Sequence, residues 1–378
     1  MKTLAAIANG SGGFAVEEIE VSHPQPLEVL VQILAAGICH TDHASLWWKR
    51  PLIMGHEGAG IVKAVGAGVT RFMPGDRVLL NWAIPCGNCF QCRDQSPSLC
   101  EWSKPAHVLA PSCAHAHRQG TTLRGVPVDR SFNLGTLAGL TLVRQEALSP
   151  LPDFVPFSSA CIVGCGVMTG FGSVMNSAKV KQGSSVAVLG VGGVGLNVIQ
   201  GARIAGASKI IAIARKSARL ETAKRFGATH TIQVGRDDPK LERAAEEVRL
   251  LTSGRGADYA FEATAIPELA FAPLRLIRDG GVALQLSGIH DPVSVDMQAF
   301  MWNKTYLAPL YGNCNPEIDF PRIFELYRKG ELKLDELVTA TYSIRQLPTA
   351  LQEMLDGRSS KSVILFDHSE HFKSNDAS

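Results

Sequence analysis

Four cysteines are crowded into one short stretch of the chain, at Cys86, Cys89, Cys92 and Cys100. Four thiolates suit tetrahedral Zn²⁺ and leave no open coordination position, which is typical of a structural site. The chain has nine cysteines, an odd number, so disulfides cannot account for all of them. The spacing therefore predicts a structural zinc lobe over residues 86–100. A zinc ribbon that binds nucleic acid is disfavoured, because its cysteine pairs are usually further apart and its surface is basic.

A second pattern is rich in glycine. An apolar stretch, Val186–Leu189, runs into Gly190-Val191-Gly192-Gly193-Val194-Gly195, and a helical pattern follows to about Ala205. Gly190 would permit a tight turn, Gly192 would let the backbone approach a pyrophosphate, and Gly195 would let the helix pack closely on the strand. Phosphate binds well at a helix N-terminus. The pattern predicts a dinucleotide site, whereas the same glycines outside this context would indicate only a flexible loop.

The next apolar strand, Lys209–Ala214, bears on which dinucleotide binds. An acidic residue at its end would hold the ribose 2′-hydroxyl of NAD. This strand instead ends in Ala214, followed by Arg215 and Lys216. An alanine beside two cations leaves room for a 2′-phosphate and offers it charge-assisted hydrogen bonds. We therefore expect NADP rather than NAD, with solvated cations and less selective NAD binding as the alternative.

Three further segments carry metal-binding side chains: Gly37-Ile38-Cys39-His40-Thr41-Asp42, Gly55-His56-Glu57-Gly58 and Gly164-Cys165-Gly166. Their spacing alone does not unite them. Together with the cysteine lobe and the glycine loop, they occur in the order seen in medium-chain zinc-dependent alcohol dehydrogenases. The chain resembles that family over nearly its whole length.

The resemblance implies a catalytic zinc held by Cys39, His56 and Cys165, with Glu57 as an alternative ligand and one position open to water or substrate. Asp42 would orient the His56 ring. Thr41 would hydrogen-bond the substrate oxygen and begin proton removal, while zinc polarises that oxygen and hydride passes between the alcohol carbon and nicotinamide.

The resemblance also places residues around the cofactor and the substrate. Thr169 would lie near the nicotinamide, and His40 and Lys361 near the pyrophosphate. The expected substrate pocket contains Trp48, Trp82, Leu134 and Ile289. Indole rings there could narrow the pocket for small substrates or stack on planar aryl or allylic alcohols.

The sequence departs from the family pattern at two points. In many relatives, a histidine at the position of Ala44 passes the proton on to solvent. This chain has His43 one residue earlier, so the sequence does not assign the proton acceptor beyond Thr41. Asn133 falls where many relatives have an apolar or aromatic residue.

Other cysteines and histidines do not clearly belong to these sites. Cys113, His115 and His117 resemble a small metal cluster, but a solvated loop is the preferred interpretation. Cys161 is expected to be a buried small residue rather than a ligand.

These motifs need two kinds of scaffold. Short strands and Gly/Pro turns predict an irregular, strand-rich domain, and the family resemblance implies that this is a GroES-like catalytic domain over residues 1–169 and 306–378. Alternating strands and helices predict a doubly wound parallel sheet, a Rossmann domain, over residues 170–305. The fold class is therefore α/β together with β, and the active site is expected between the domains.

Composition limits the classes of partner. Lys plus Arg number 37 against 35 Asp plus Glu, for a net charge of +2, which gives no case for nucleic acid or a membrane surface. No stretch is expected to cross a bilayer, because Gly, Pro and charges interrupt every candidate. We expect a cytoplasmic protein, and the family resemblance implies a homodimer or homotetramer. The rival functions are a thiol-conjugate formaldehyde dehydrogenase of the glutathione type and a non-catalytic zinc- and nucleotide-binding protein.

Overall fold

The chain folds into two compact units. The computed structural model describes residues 1–103 and 120–367. Unit 1 comprises residues 1–165, 315–328 and the described residues from 334 onward, and unit 2 comprises residues 166–314 and 329–333.

Strands in the described residues belong to three sheets. In chain order they are β1 (Lys2–Ala8), β2 (Phe14–Val21), β3 (Glu28–Gly37), β4 (Leu52–Ile53), β5 (Ala59–Val65), β6 (Arg77–Leu80), β7 (Thr121–Leu123), β8 (Val126–Pro127), β9 (Asp129–Arg130), β10 (Leu140–Arg144), β11 (Leu148–Pro150), β12 (Ser185–Leu189), β13 (Lys209–Ala214), β14 (His230–Gln233), β15 (Ala257–Glu262), β16 (Ile277–Gln285), β17 (Thr305–Leu307), β18 (Val338–Tyr342) and β19 (Lys361–Leu365).

The α-helices are spread over both units. In chain order they are α1 (His40–Ser45), α2 (Phe90–Arg93), α3 (Phe157–Ala160), α4 (Met168–Gly172), α5 (Gly193–Ile204), α6 (Ser217–Phe226), α7 (Glu242–Leu251), α8 (Pro273–Leu276), α9 (Pro316–Arg328) and α10 (Leu347–Leu355).

Unit 1 contains two sheets. One has the order β8-β7-β2-β1-β4-β9, and the other has the order β11-β6-β5-β3-β19-β18 with β10 paired to β3. The late strand β19 lies antiparallel to β3, with Val363 opposite Gly37. The Ile38 amide then donates to the Ser362 carbonyl at 3.0 Å. This pairing places Lys361 beside the segment that leads from β3 to Cys39.

Unit 2 contains the predicted doubly wound parallel sheet, with the order β14-β13-β12-β15-β16-β17. Every residue of β12 is buried, and β13 is buried along most of its length. Buried strands of this kind need apolar residues on both faces, which explains their Val, Ile and Ala content. The chain winds in opposite directions from β12, so the carboxyl ends of β12, β13 and β15 meet where ligands bind in such sheets.

A helical run from Phe157 to Ser177 contains α3, α4 and two π-helical segments, Val163–Val167 and Ser173–Ser177. By length and composition it could cross a membrane, and 78% of its most apolar window is buried within the protein, as in a core helix. The expectation that no stretch is so long and apolar is therefore wrong, because glycines do not interrupt this helix.

Candidate active site and metal centres

Four side chains from three distant segments meet in unit 1. The ligand atoms of Cys39, His56, Glu57 and Cys165 all lie within 4.8 Å of one another. His56 and Glu57 are buried, and the two cysteines are half-buried. Two thiols, an imidazole and a carboxylate are a donor set that suits Zn²⁺.

Asp42 fixes two of these ligands at once. Its Oδ2 accepts a hydrogen bond from the Cys39 backbone N–H at 2.9 Å, which caps helix α1. Its Oδ1 lies 3.0 Å from His56 Nδ1. An ionised carboxylate only accepts, so Nδ1 carries the proton and Nε2 keeps its lone pair for a metal. The structure thus brings Asp42 and His56 together as the resemblance implied.

Glycines make room for the His56–Glu57 turn. Gly55 has a φ of +96°, and a Cβ there would lie 2.3 Å from the Leu137 backbone nitrogen. A Cβ on Gly58 would lie 2.7 Å from Thr136 Cγ2. Thr136 therefore packs tightly against both ends of the turn, which sets the direction of the two side chains between them.

Cys165 lies on the π-helical segment Val163–Val167. Single π-helical turns inside α-helices are rare and are frequent at functional sites. The preceding Gly164 allows this helix to approach β6 closely, since a Cβ there would lie 2.4 Å from the Leu80 carbonyl oxygen. The close approach helps to fix the position of the Cys165 thiol.

Glu57 is held by an ion pair that the sequence does not reveal. Lys361 Nζ lies 2.6 Å from Glu57 Oε1 and donates to the Ile38 carbonyl oxygen at 3.1 Å. Burial raises the pKa of Glu57 to about 7, although the Lys361 ammonium opposes the shift. In this structure Lys361 forms its ion pair with Glu57. The proximity of Lys361 to a pyrophosphate stays a prediction.

The same carboxylate and thiols show that the cluster needs a cation. Glu57 Oε2 is buried and has no hydrogen-bond partner in the described part of the chain. A hydrogen bond from Cys165 lowers the pKa of Cys39 well below its usual value, and the same bond raises that of Cys165. A Zn²⁺ ion would stabilise both thiolates and offer Glu57 Oε2 a partner.

Replacing Asp42 by asparagine is expected to weaken zinc binding at the catalytic site about 10- to 100-fold, because the His56 ring loses its orienting carboxylate. Transfer of zinc to a chromogenic chelator measures the loss. Asp76→Asn is the matched control, because Asp76 Oδ2 accepts from the Met73 amide in an exposed turn. Equal chelation rates for Asp42→Asn and Asp76→Asn would contradict the orienting role.

The cysteine lobe forms a second metal centre. The Sγ atoms of Cys86, Cys89, Cys92 and Cys100 also lie within 4.8 Å of one another. Cys86 Sγ is 4.0 Å from Cys92 Sγ, and Cys89 Sγ is 3.9 Å from Cys100 Sγ. A tetrahedral zinc with Zn–S bonds of about 2.3 Å requires sulfur–sulfur distances of about 3.8 Å. The lobe is therefore close to the geometry that zinc demands.

Backbone amides donate hydrogen bonds to Cys86 Sγ and Cys89 Sγ, which favours the thiolate form of these side chains. Cys86 Sγ accepts from the amides of Asn88 and Cys89, at 3.4 and 3.3 Å. Burial opposes ionisation of Cys89, but hydrogen bonds led by that of the Cys92 amide lower its pKa to about 6. Burial raises the pKa of Cys100 to about 12. A bound divalent cation would hold the four sulfurs as thiolates.

Replacing Cys92 by serine is expected to destabilise the protein by about 3 kcal/mol or more, because loss of a structural metal is among the most destabilising changes. For domains of this size the apparent Tm should fall by about 6–12 °C. Differential scanning fluorimetry measures the shift. Asn88→Ser is the matched control, since the exposed Asn88 contributes its backbone amide and not its side chain to the lobe.

The glycine loop in unit 2 has the conformation that its spacing predicts. Gly190 has a φ of +91°, and its amide donates to the Ile213 carbonyl at 3.0 Å. A Cβ on Gly195 would lie 1.9 Å from the Gly190 carbonyl oxygen, whereas one on Gly192 would meet nothing within 4 Å. Gly192 is the N-cap of α5, with no side chain capping the helix. The loop therefore leaves open space at a helix N-terminus, as a bound phosphate requires.

The residues at the end of β13 lie next to this loop, because β13 pairs in parallel with β12. Ala214 is half-buried, while Arg215 and Lys216 are exposed. Arg219 follows within α6 and is half-buried, and burial lowers its pKa. Thus several cationic groups follow the strand end at which NAD-binding sheets carry a carboxylate.

An aromatic cluster centred on Phe132 contacts the His56 ring in unit 1. Phe132 lies 5.0 Å from His56, 5.7 Å from Trp48 and 5.3 Å from Trp82, measured between ring centroids. Trp48 and Trp82 were predicted pocket residues, and the central Phe132 was missed. The available signal was its position beside Asn133, where many relatives have an aromatic residue. Leu134, also predicted, is fully buried in the same segment.

The remaining predicted residues are less closely tied to these centres. Cys39 Sγ lies 3.7 Å from Thr41 Oγ1 in unit 1. In unit 2, Thr169 precedes Gly170, where a Cβ would lie 2.4 Å from the Val194 carbonyl oxygen of the glycine loop. The cofactor contacts of Thr169 and the exposed His40, and the pocket role of Ile289 in unit 2, stay predictions.

Among the described residues, the cysteines outside these two clusters do not belong to a further group of metal-binding side chains. Cys161 is fully buried and its thiol donates to the Ser158 carbonyl at 3.2 Å. Cys113, His115 and His117 lie outside the described residues. None of the eight cysteines in the described ranges is in a disulfide.

Comparison with known proteins agrees with this arrangement. Residues 25–153 match the alcohol dehydrogenase GroES-like domain, and residues 193–328 match the zinc-binding dehydrogenase domain. A putative alcohol dehydrogenase D of Mycobacterium tuberculosis is 35% identical, over 97% of this chain and 100% of the relative. An NDMA-dependent alcohol dehydrogenase of Amycolatopsis methanolica is 33% identical, over 97% and 99%.

Solved structures show the same fold. The chain matches an alcohol dehydrogenase zinc-binding domain protein of Burkholderia ambifaria with a TM-score of 0.88 and 29% identity, over 97% of this chain and 100% of the other. It matches benzyl alcohol dehydrogenase of Acinetobacter calcoaceticus with a TM-score of 0.86 and 28% identity, over the same shares. Sequence identity over nearly the whole chain, together with both sets of metal-binding side chains, shows that this protein belongs to the medium-chain zinc-dependent alcohol dehydrogenase family.

Proposed function

We propose that this zinc-dependent alcohol dehydrogenase transfers hydride between primary alcohols, including aryl and allylic alcohols, and NADP(H). Aldehyde reduction is the reverse of the same reaction. The observation that carries the cofactor assignment is the end of β13, where Ala214 is followed by the exposed Arg215 and Lys216.

The charge at this strand end favours a 2′-phosphate. A carboxylate there would accept hydrogen bonds from the ribose hydroxyls of NAD and would repel the phosphate of NADP. Ala214 removes that repulsion, and Arg215 offers a planar guanidinium that can bind phosphate by two parallel hydrogen bonds. The resulting site should bind NADPH more tightly than NADH.

Zinc supplies Lewis-acid polarisation of the substrate oxygen, and nicotinamide accepts or donates the hydride. Cys39, His56 and Cys165 would hold the metal, and Asp42 keeps His56 in the correct tautomer. Thr41, whose Oγ1 lies 3.7 Å from Cys39 Sγ, would hydrogen-bond the substrate oxygen and begin proton removal. The group that would accept the proton from Thr41 is not assigned. The half-buried His43 is the nearest candidate in the sequence.

Planar substrates are proposed because Phe132 contacts the His56 ring and is itself packed against Trp48 and Trp82. Aromatic rings at this position can stack on an aryl or allylic group. The similarity to a benzyl alcohol dehydrogenase supports this choice. A thiol-conjugate substrate would instead need a wide pocket with cationic groups for its carboxylates.

The first experiment compares NADPH and NADH binding by cofactor fluorescence and then follows carbonyl-dependent oxidation. The panel contains cinnamaldehyde, benzaldehyde and short aliphatic aldehydes. Preferential binding of NADPH with turnover of the planar aldehydes is the expected result. Preference for NADH would overturn the cofactor assignment and leave the family assignment intact.

Two other results would point to the rival functions. Turnover that requires added glutathione would favour a thiol-conjugate formaldehyde dehydrogenase. Binding of either cofactor without turnover, with one zinc per chain instead of the two expected, would favour a non-catalytic protein. Light scattering would test the proposed homodimer or homotetramer, which rests on the family alone.

A further inference from the structure

Phe132 is the hub of the aromatic cluster. Its ring contacts the rings of Trp48, His56 and Trp82, and all three centroid distances lie between 5.0 and 5.7 Å. These distances are typical of favourable aromatic pairs. Phe132 and Trp48 are half-buried, whereas Trp82 is buried.

The backbone under Phe132 is unusual for a bulky residue. Phe132 has φ +52° and ψ +26°, and the next residue, Asn133, has φ +59°. This left-handed region is disfavoured for side chains with a Cβ and is frequent at binding sites, where surrounding contacts enforce it.

Hydrogen bonds hold this turn on both sides. The amides of Leu134 and Gly135 both donate to the Ser131 carbonyl, at 2.9 and 3.1 Å. The Thr136 amide donates to the Gly55 carbonyl at 3.1 Å, which joins the turn to the residue before His56. The Phe132 ring is therefore fixed relative to the metal-binding histidine by the backbone as well as by packing.

We propose that Phe132 determines substrate specificity by selecting planar over saturated carbon skeletons of the same size. This inference rests on the proposed function. A substrate whose oxygen binds at the metal cluster has its first carbons beside the His56 ligand, and Phe132 contacts that ligand's ring. A flat aryl or allylic group would stack on the half-buried Phe132 ring, whereas a puckered saturated ring would not make the same contact.

The test compares benzyl alcohol with cyclohexylmethanol, which has a ring of the same number of carbons but is not planar. Phe132→Leu keeps an apolar side chain and removes the ring. In the zinc-loaded enzyme with NADP, the ratio of kcat/KM for benzyl alcohol to that for cyclohexylmethanol should fall about tenfold. Asn133→Gly is the matched control, because it relaxes the adjacent left-handed residue and keeps the ring, so the ratio should stay within about twofold.

A binding measurement keeps the inference separate from turnover. Calorimetry with benzamide and cyclohexanecarboxamide, on the zinc-loaded protein with NADPH, should show tighter binding of benzamide, with the preference lost in Phe132→Leu. Equal affinities in the wild-type protein, or an equal loss for both ligands in the variant, would overturn the role of Phe132. Absence of alcohol turnover with an intact, Phe132-dependent preference for benzamide would overturn the proposed function while supporting this inference.

Discussion

Replacing Cys165 by alanine is expected to lower kcat/KM for aldehyde reduction about 10³-fold or more. Polarisation of the substrate oxygen by a bound metal is worth several kcal/mol, and each 1.36 kcal/mol corresponds to a factor of ten in rate. The thiol is one of only three strong ligands expected in a site that keeps a position open. Its loss also leaves Cys39 without the hydrogen bond that stabilises its thiolate.

The matched control is Cys161→Ala, four residues earlier in the same helical run. Cys161 is fully buried, and its thiol bonds to the Ser158 carbonyl rather than to the metal-binding cluster. Burial raises the pKa of Cys161 well above its usual value, so it remains a neutral thiol. The control should keep both zincs and activity within about threefold of wild type, since the change removes one small buried atom.

Metal analysis separates the two possible causes of a loss of activity. Cys165→Ala should retain the zinc of the cysteine lobe and lose that of the catalytic site, with little change in Tm. Two zincs per chain in an inactive Cys165→Ala variant would mean that the metal is held without this thiol, which would contradict the ligand assignment. Equal losses in Cys161→Ala would show that the helix, rather than the ligand, is responsible.

The two metal centres differ in how far the sequence could reveal them. The lobe has three cysteines at a spacing of three residues, and local backbone geometry brings their amides and sulfurs together. Its chemistry is therefore readable from spacing. The ligands of the catalytic site come from a helix cap, a glycine-flanked turn and a π-helical segment. Only a resemblance to known proteins could unite them, because nothing local encodes their distances.

The sheets were predictable for a related reason. Buried parallel strands such as β12 and β13 are continuous apolar runs, and the glycine loop after β12 marks where the helix begins. The partner of Glu57 could not be predicted in this way. Lys361 is 304 residues away in sequence and reaches Glu57 only because β19 pairs with β3. Phe132 was missed because its place depends on a left-handed backbone that no residue type there requires.

Replacing Ala214 by aspartate is expected to shift the preference between NADPH and NADH by about 10²- to 10³-fold toward NADH. The new carboxylate would accept hydrogen bonds from the ribose hydroxyls of NADH and repel the 2′-phosphate of NADPH. Hydrogen bonds to charged groups contribute about 1.5–3 kcal/mol each, which sets this range. Ala214 is half-buried at a strand end, so the longer side chain can reach solvent.

The separate contribution of positive charge is measured with Lys216→Gln, which should weaken NADPH binding about 5- to 20-fold and affect NADH little. Lys224→Gln is the matched control, because Lys224 lies within α6, the helix that begins directly after Lys216. Lys224 is exposed and pairs with Glu221 at 2.8 Å on the helix surface, so its removal should change neither affinity more than about twofold. Fluorescence titration gives the dissociation constants of NADPH and NADH for each variant.

An unchanged ratio of the NADPH and NADH affinities in Ala214→Asp would show that the end of β13 does not face the adenosine ribose. If the NADPH-to-NADH affinity ratio shifts in Ala214→Asp but not in Lys216→Gln, the Lys216 charge does not contribute to selectivity. Arg215 would then be the remaining cation beside Ala214 for the 2′-phosphate.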